Sequence, residues 1–402
     1  MIMFKKFFLL SSLLFAAAVH ADCKISTDED SEGRKIIYAE NSRIKVGIMP
    51  ESNGRIAELI LKEGEDERHF FPELIFQTLE VDDGISLVGK TNFAGLEDWA
   101  WESGAVKKNI PYTAKVVKNT PDEAVITLSA EFGSWARIER TMTIAKDSAV
   151  IKLDVKFTNN TDKEFKSSYW QHIMLGFDRD MDVRGSARLI IPLKNSGTEV
   201  FRNRLAVQRP GFDCLLDRPA LTGNPAAEEV SRLIQPWRAV KHDDLLFGMI
   251  VPAGQLDKDF AAYHYADENA LSVENVFAPV DYAPGQSNIF TTYITVSPAL
   301  EKIDYIDDNV IAGCSIDGQQ VTLTALRSGA KSDFIFSVKA VDASGKEVAG
   351  VKTAAVLPAS GTPFTAELKF PCSVAGCRLF LHIAGKDGKE IAGTELLKQL
   401  KW

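Results

Sequence analysis

Positive charge is what this chain is short of. Its 402 residues carry 46 Lys and Arg against 55 Asp and Glu, a formal net charge of −9. No basic stripe or patch gathers anywhere along it, which argues against nucleic acid and anionic membrane surfaces as partners. Long apolar runs are scarce too. After Val19 no stretch approaches the ~20 residues that a membrane-spanning helix needs. Helix signals are few. The best is Asn224-Pro225, an N-cap residue followed by proline at the first helical position, which predicts a short helix through Ile234. Phosphate-binding loops, nucleophile elbows and HExxH pairs are all missing. Cysteine is sparse and odd in number: Cys23, Cys214, Cys314, Cys372 and Cys377. Cys372 and Cys377 bracket a short loop and can pair across it; Cys23 with Cys214 is a guess at a second bridge. At least one thiol is left over. A CxxxxC spacing with no second pair gives no zinc site, and no cofactor is expected.

What is present begins with an export signal. Lys5 and Lys6 lead an apolar run from Phe7 to Val19, and Val19-His20-Ala21 supplies small residues at the −3 and −1 positions of a cut. Cleavage after Ala21 removes two lysines and no acids. That leaves 44 basic against 55 acidic side chains, a charge of −11. The expected location is the periplasm or the exterior, where disulfides are permitted. A lipid anchor at Cys23 is disfavoured, because Asp22 precedes it where a small residue is needed. With 45 % hydrophobic residues the chain has the means for a full core.

Residues 22–36 are polar and read as a lead-in. Beyond them the texture is strand after strand. Ile44, Val46 and Ile48 alternate up to Pro50. Glu51-Ser52-Asn53-Gly54 turns the chain, and Arg55 to Leu61 returns. Gly64 to Arg68 reads as a charged turn and Asp82-Asp83-Gly84 as a hairpin signal. Ala124, Ile126, Leu128 and Ala130 share one face, as do Ile151, Leu153, Val155 and Phe157. A boundary falls near Ser297-Pro298. After it, alternating Val321, Leu323 and Ala325, then Phe334, Phe336, Val338 and Ala340, then Leu379, Leu381 and Ile383, suggest a compact immunoglobulin-like sandwich with two similar hairpin turns. The expected division is 1–21 signal, 22–36 lead-in, 37–300 large antiparallel all-β domain, 301–402 small β-sandwich.

Two stretches carry the chemistry. The first, Asn159 to Phe177, presents His172 on a strand with Tyr169 and Trp170. The second, Ser272 to Val296, presents Glu274 where a strand gives way to a loop holding Pro279, Pro284 and Gly285. A lone glutamate there is most often a solvated surface group. A histidine and a carboxylate facing one another across a sugar-sized cleft are what acid–base chemistry at an anomeric carbon needs, one removing the C1 hydroxyl proton and the other protonating the ring oxygen. Gly95 to Glu102 adds Glu97, Asp98, Trp99 and Trp101. Flat apolar rings for the C–H face of a pyranose and carboxylates for its hydroxyls suit a sugar, although a loop packing its own tryptophans has the same composition. Trp170 and Trp237 are further candidates that also suit a core. Arg55 could meet an acidic sugar, or simply pair with Glu58 or Glu73. Asp178, Asp180 and Asp182 lack the glycine and glutamate of a calcium loop and read as a surface turn.

Together these stretches resemble the galactose mutarotase-like, or aldose 1-epimerase, superfamily. The matching residues are Pro50 with Asn53-Gly54-Arg55-Ile56, then Asn159-Asn160-Thr161-Asp162 ahead of His172 and Phe177, then Glu274, Pro279, Pro284-Gly285 and Phe290 to Val296. The resemblance covers roughly residues 36–300. It implies an antiparallel β supersandwich with a saccharide cleft, His172 as general acid and Glu274 as general base. An early His-Gly-type histidine and a mid-domain aspartate of that family have no counterpart; Gln235-Pro236-Trp237-Arg238 stands near the latter. Two functions follow as expectations: an exported aldose 1-epimerase-like or related carbohydrate-active enzyme, or a non-catalytic saccharide-binding scaffold. In the first, His172 and Glu274 should point into one cleft, a pyranose width apart.

Overall fold

The computed structural model describes residues 22–396, apart from 32, 65, 73–75, 79–89, 93–94, 103–104, 107–109, 180–186, 192–211, 216–226, 232–235, 256–260 and 267–270. The hairpin signal at Asp82-Asp83-Gly84, the export signal, and Asp180 and Asp182 lie outside the described residues. What is described is almost wholly antiparallel strand.

Two large sheets make the first part. One has nine strands, ordered Thr113–Thr120, Glu123–Phe132, Ala136–Ala145, Val150–Asn159, Ser287–Pro298, Leu245–Ile250, Trp237–His242, Ala187–Ile191 and Phe212–Leu215. The other has eleven. Its path runs Lys24–Glu29, Lys35–Glu40, Ile44–Met49, Arg55–Glu63, Gly95–Glu102, Tyr169–Leu175, Leu271–Val276, Ala261–Ala266 and Ala227–Ser231; Asp66–His69 and Ala105–Val106 pair at the side. Alternation explains the sandwich. Ala124, Ile126, Leu128, Ile151, Leu153, Val155 and Phe157 from one sheet share a core with Ile48, Leu59, Leu96, Tyr169, Ile173, Leu271 and Val273 from the other.

The chain passes from one sheet to the other after Asn159, and that buried amide secures the turn. Its Nδ2 donates to the Lys163 carbonyl at 2.8 Å and the Tyr282 carbonyl at 3.0 Å. Its Oδ1 accepts from Thr161 N at 2.7 Å. The Gly285 N–H donates to the Asn159 carbonyl at 3.0 Å, and Gly285 takes a φ of +72° that glycine adopts freely. The two turns that flank the candidate residues in sequence are therefore bonded to one another in space.

A smaller sandwich follows. Tyr305–Ile306, Val310–Asp317, Gln320–Arg327 and Phe364–Lys369 form one sheet; Glu347–Val356, Asp333–Val341, Arg378–Gly385 and Glu390–Glu395 form the other. The apolar residues read from the sequence, Val321 and Leu323 against Phe334, Phe336, Leu381 and Ile383, fill the space between. It abuts the large sheets. Ala149 N donates to the Ser328 carbonyl at 2.7 Å, and buried Arg43 reaches the Ala359 carbonyl at 2.6 Å. Trp237, Ala239, Leu246 and Ile250 pack with Leu300, Ile303, Ile306, Ile311 and Leu326 in one apolar cluster at the junction.

Four expectations are corrected. Residues 22–36, expected as a lead-in, carry the strand Lys24–Glu29, which pairs with Lys35–Glu40 at the edge of the eleven-stranded sheet. Ala227–Ser231 is a strand paired with Ala261–Ala266, so sheet pairing overrides the helix expected after Asn224-Pro225. Asp66–His69 is a short strand on Arg55–Glu63 rather than part of a bare turn. The bridges Cys372–Cys377 and Cys23–Cys214 are not formed: Cys23, Cys314, Cys372 and Cys377 are free thiols. Cys23 is buried in the main core with its thiol toward the Ile144 carbonyl.

Candidate functional site

Glu97, His172 and Glu274 stand side by side on three neighbouring strands. In register His172 lies opposite Glu97 on one side and opposite Glu274 on the other. Opposed residues share a face, so the three form one row across the eleven-stranded sheet. That face is turned away from the sandwich core, since Leu96, Ile173 and Val273, the chain neighbours of the three, are core residues.

The imidazole bridges the row. His172 Nδ1 is 3.4 Å from Glu97 Oε1, and Nε2 is 3.6 Å from Glu274 Oε1. Arg55, on the next strand, holds Glu97 through an Nη2–Oε2 contact of 2.5 Å, and the Asn53 amide approaches the same oxygen at 3.3 Å. The Ser272 hydroxyl donates to Glu274 Oε1 at 2.6 Å. Trp99 stacks on the His172 ring, centroids 4.5 Å apart and planes within 9°, and Trp170 meets Trp99 edge-on at 5.4 Å. The row is deeply set: Glu97, Glu274 and His172 are 1, 3 and 5 % exposed, while both tryptophans are half-buried.

Burial raises the Glu274 carboxyl above its usual range; His172, the Ser272 hydroxyl, the Trp170 indole and Arg238 pull it back only in part. Its Oε2 is buried with no hydrogen-bond partner. Arg238 is a fully buried guanidinium whose pKa falls to about 9 through desolvation, against which Glu274 is the opposing charge. Among the described residues its Nε and Nη1 find no hydrogen-bond acceptor, and Nη2 meets the Met249 sulfur at 3.4 Å. The arrangement sets an imidazole between two carboxylates at 3.4 and 3.6 Å, one of them anchored by arginine. It is chemically suited to passing a proton between Nε2 and Glu274 and on to a bound hydroxyl. Among the described residues no group of His, Cys, Asp and Glu is arranged to hold a metal ion.

Of the residues singled out in the sequence, Arg55, Glu97, Trp99, Trp170, His172 and Glu274 come together on this face. Asp98 and Trp237 do not. Asp98 follows Glu97 in a strand and so points the other way, into the core, where it binds Arg140, Tyr169 and Tyr112. Trp237 is wholly buried at the junction with the small sandwich. Trp101 lies on the same strand as Trp99, opposite Val106. Arg55 pairs with Glu97, and Glu73 lies outside the described residues. Sequence reasoning missed Ser272 and Arg238. Ser272 was within reach, two residues from Glu274 on an alternating strand.

No family model matches the chain, and no curated protein does. Solved structures resemble it in fold. A galactose mutarotase-like protein from Clostridium acetobutylicum superposes with a TM-score of 0.48 at 11 % identity, over 69 % of this chain and 99 % of its own. A galactose mutarotase-like protein from Lactobacillus casei gives 0.42 at 11 %, over 65 % and 99 %. An alpha-galactosidase from Geobacillus stearothermophilus gives 0.44 at 8 %, over 68 % and 41 %. These likenesses concern the fold and assign no residue a role.

Proposed function

We propose that this chain is an exported saccharide-handling protein of the mutarotase-like kind, with its acid–base site at the Glu97–His172–Glu274 row. The row itself is the observation that carries the reading. In aldose 1-epimerisation Glu274 takes the proton of the C1 hydroxyl, the bond from C1 to the ring oxygen breaks, and that oxygen takes a proton from His172 Nε2. Rotation about C1–C2 and the reverse steps give the other anomer, with no net change in protons. The expected pyranose-wide separation of His172 and Glu274 gives way here to direct contact. The chemistry suits contact better, because the hydroxyl and ring oxygens share one carbon and so lie within two bonds of each other. Glu97, fixed by Arg55, stands 3.4 Å from Nδ1 and electrostatically favours a proton on that nitrogen.

In this reading residues 1–21 are the export signal, 37–300 carry the saccharide site and 301–402 form an immunoglobulin-like domain. The test is polarimetry of fresh α-glucose and α-galactose solutions with the purified protein, alongside a glycan-binding screen. His172→Gln and Glu274→Gln should each lower the catalysed rate by at least ~100-fold while leaving the melting curve cooperative. Full rates in both variants would overturn it.

A second reading has one observation in its favour. His172 is closely enclosed, with Glu97 3.4 Å from Nδ1, Glu274 3.6 Å from Nε2 and Trp99 stacked on its face, so its ring is packed in place without a substrate. A binding protein without turnover would show glycan affinity that survives Glu274→Gln and no mutarotation in the parent protein.

A further inference from the structure

On the hidden side of the same sheet lies a second polar cluster that mirrors the first. Arg140 belongs to Ala136–Ala145 in the opposite sheet and crosses the core to reach it. Its Nη1 binds Asp98 Oδ2 at 2.8 Å, and its Nη2 donates to the Gly54 carbonyl. Asp98 Oδ1 accepts from the Tyr169 hydroxyl at 2.7 Å, and the Tyr112 hydroxyl approaches Oδ2 at 3.4 Å. Arg140 and Asp98 have no exposed side-chain surface at all.

Each residue gripped here is the chain neighbour of one on the other face. Gly54 precedes Arg55, Asp98 follows Glu97 and Tyr169 precedes Trp170. Neighbours in a strand project to opposite sides, so the cluster holds the three strands from behind while the row stands in front. Among the described residues the strands carrying Arg55 and Glu97 share one backbone pair, Ile56 with Leu96, whereas the Glu97 and His172 strands pair over six. The clamp adds side-chain bonds at the end of that ladder where Arg55 and Glu97 stand. A buried ion pair is not required for stability, since apolar side chains of similar volume commonly serve as well.

We infer that Arg140 is a positioning residue: by clamping Gly54 to Asp98 it sets the Arg55–Glu97 contact and, through Glu97, the orientation and tautomer of His172. The inference rests on the row being the working site, and its test separates the two. The readout is the ring-nitrogen NMR signal of His172 in uniformly labelled protein, assigned by its loss in His172→Gln. The variants are Arg140→Met/Asp98→Asn, which leaves no unpaired buried charge, and Tyr169→Phe, which removes one hydrogen bond and keeps the ring. Arg140→Lys serves as the conservative replacement.

In the double variant the His172 shifts and titration midpoint should move. The catalysed rate should fall on the order of 100-fold in kcat, with KM changed much less, as expected for misplacement by about 1 Å. Arg140→Lys should restore part of both, and Tyr169→Phe should shift the signal in the same direction by less. If the double variant folds with the His172 signal and titration of the parent, the inference fails. If it does not fold, an unmoved signal in Tyr169→Phe overturns it instead. A moved signal in a protein that never turns over sugar upholds the positioning role and overturns the saccharide reading.

Discussion

Glu274 shows how burial and function oppose each other at one residue. Its carboxyl is raised, with desolvation the largest cause. The folded protein therefore holds that proton more tightly than the unfolded chain, whose glutamate titrates near ~4.3. Its contribution favours folding at acid pH and is lost as pH rises from the ordinary value through the raised one. Glu274→Gln should accordingly melt higher than the parent at neutral pH and no higher at pH 4, which calorimetry at the two pH values checks. On the proposed mechanism, in which Glu274 must be ionised to act as base, the same variant loses turnover and the acid limb of the rate profile should lie above the ordinary carboxylate range. Arg238→Met, which removes an opposing charge, should push that limb further up. Of these residues the sequence singled out His172 and Glu274 by context, and the structure sets them opposite one another on adjacent strands. It could not disclose that Arg238, on a strand of the other sheet, feels Glu274, since linear spacing does not report proximity between strands of different sheets.

Elements were the more legible scale. Period-two patterning located strands such as Ile44–Met49, Glu123–Phe132 and Val150–Asn159, and those of the small sandwich, because each buries one face and wets the other; it gave no sign of Ala187–Ile191 or Phe212–Leu215. It failed at Asn224-Pro225, where a good local cap was overruled by a strand partner more than thirty residues away. Glycines mark where strands come too close for a side chain. Gly95 opens the Glu97 strand at a φ of +75°, and a Cβ there would stand 2.1 Å from the Ile56 carbonyl oxygen. Gly95→Ala should cost about 3 kcal/mol or more in urea unfolding. Gly388, at +77° in an open hairpin turn, has nothing near it. Gly388→Ala should cost only about 1–2 kcal/mol, the left-handed penalty alone. Equal losses at the two would mean the close approach at Gly95 carries no weight. The edge strand Thr113–Thr120 exposes Val116 and Val117 but is broken by a bulge between Val116 and Lys118 and flanked by Lys115 and Lys118, which discourages further strand addition.

At the scale of the molecule, the sequence placed a change of texture near Ser297-Pro298 but not what joins the parts across it. The ties are backbone carbonyls and an apolar cluster, and carbonyls have no sequence signature. Arg43 reaches Arg327 and Ala359, partners 284 and 316 positions away. Its burial lowers its pKa to about 10, with Arg327 adding to the effect. Leu326 is wholly buried in the junction cluster, so Leu326→Ala should cost about 2–5 kcal/mol. The loss should appear in the unfolding of the large sheets as well as the small, read by tryptophan fluorescence from Trp237. A transition in which Trp237 is indifferent to Leu326 would separate the two parts energetically.

That cluster has a practical corollary for anyone cutting the chain near residue 300. The large sheets would be left with Trp237, Ala239, Leu246 and Ile250 facing water as one contiguous oily area. Such areas promote sticking between molecules. The shortened protein should therefore precipitate or self-associate where the full chain stays dispersed, even though every residue of the Glu97–His172–Glu274 row would still be in it.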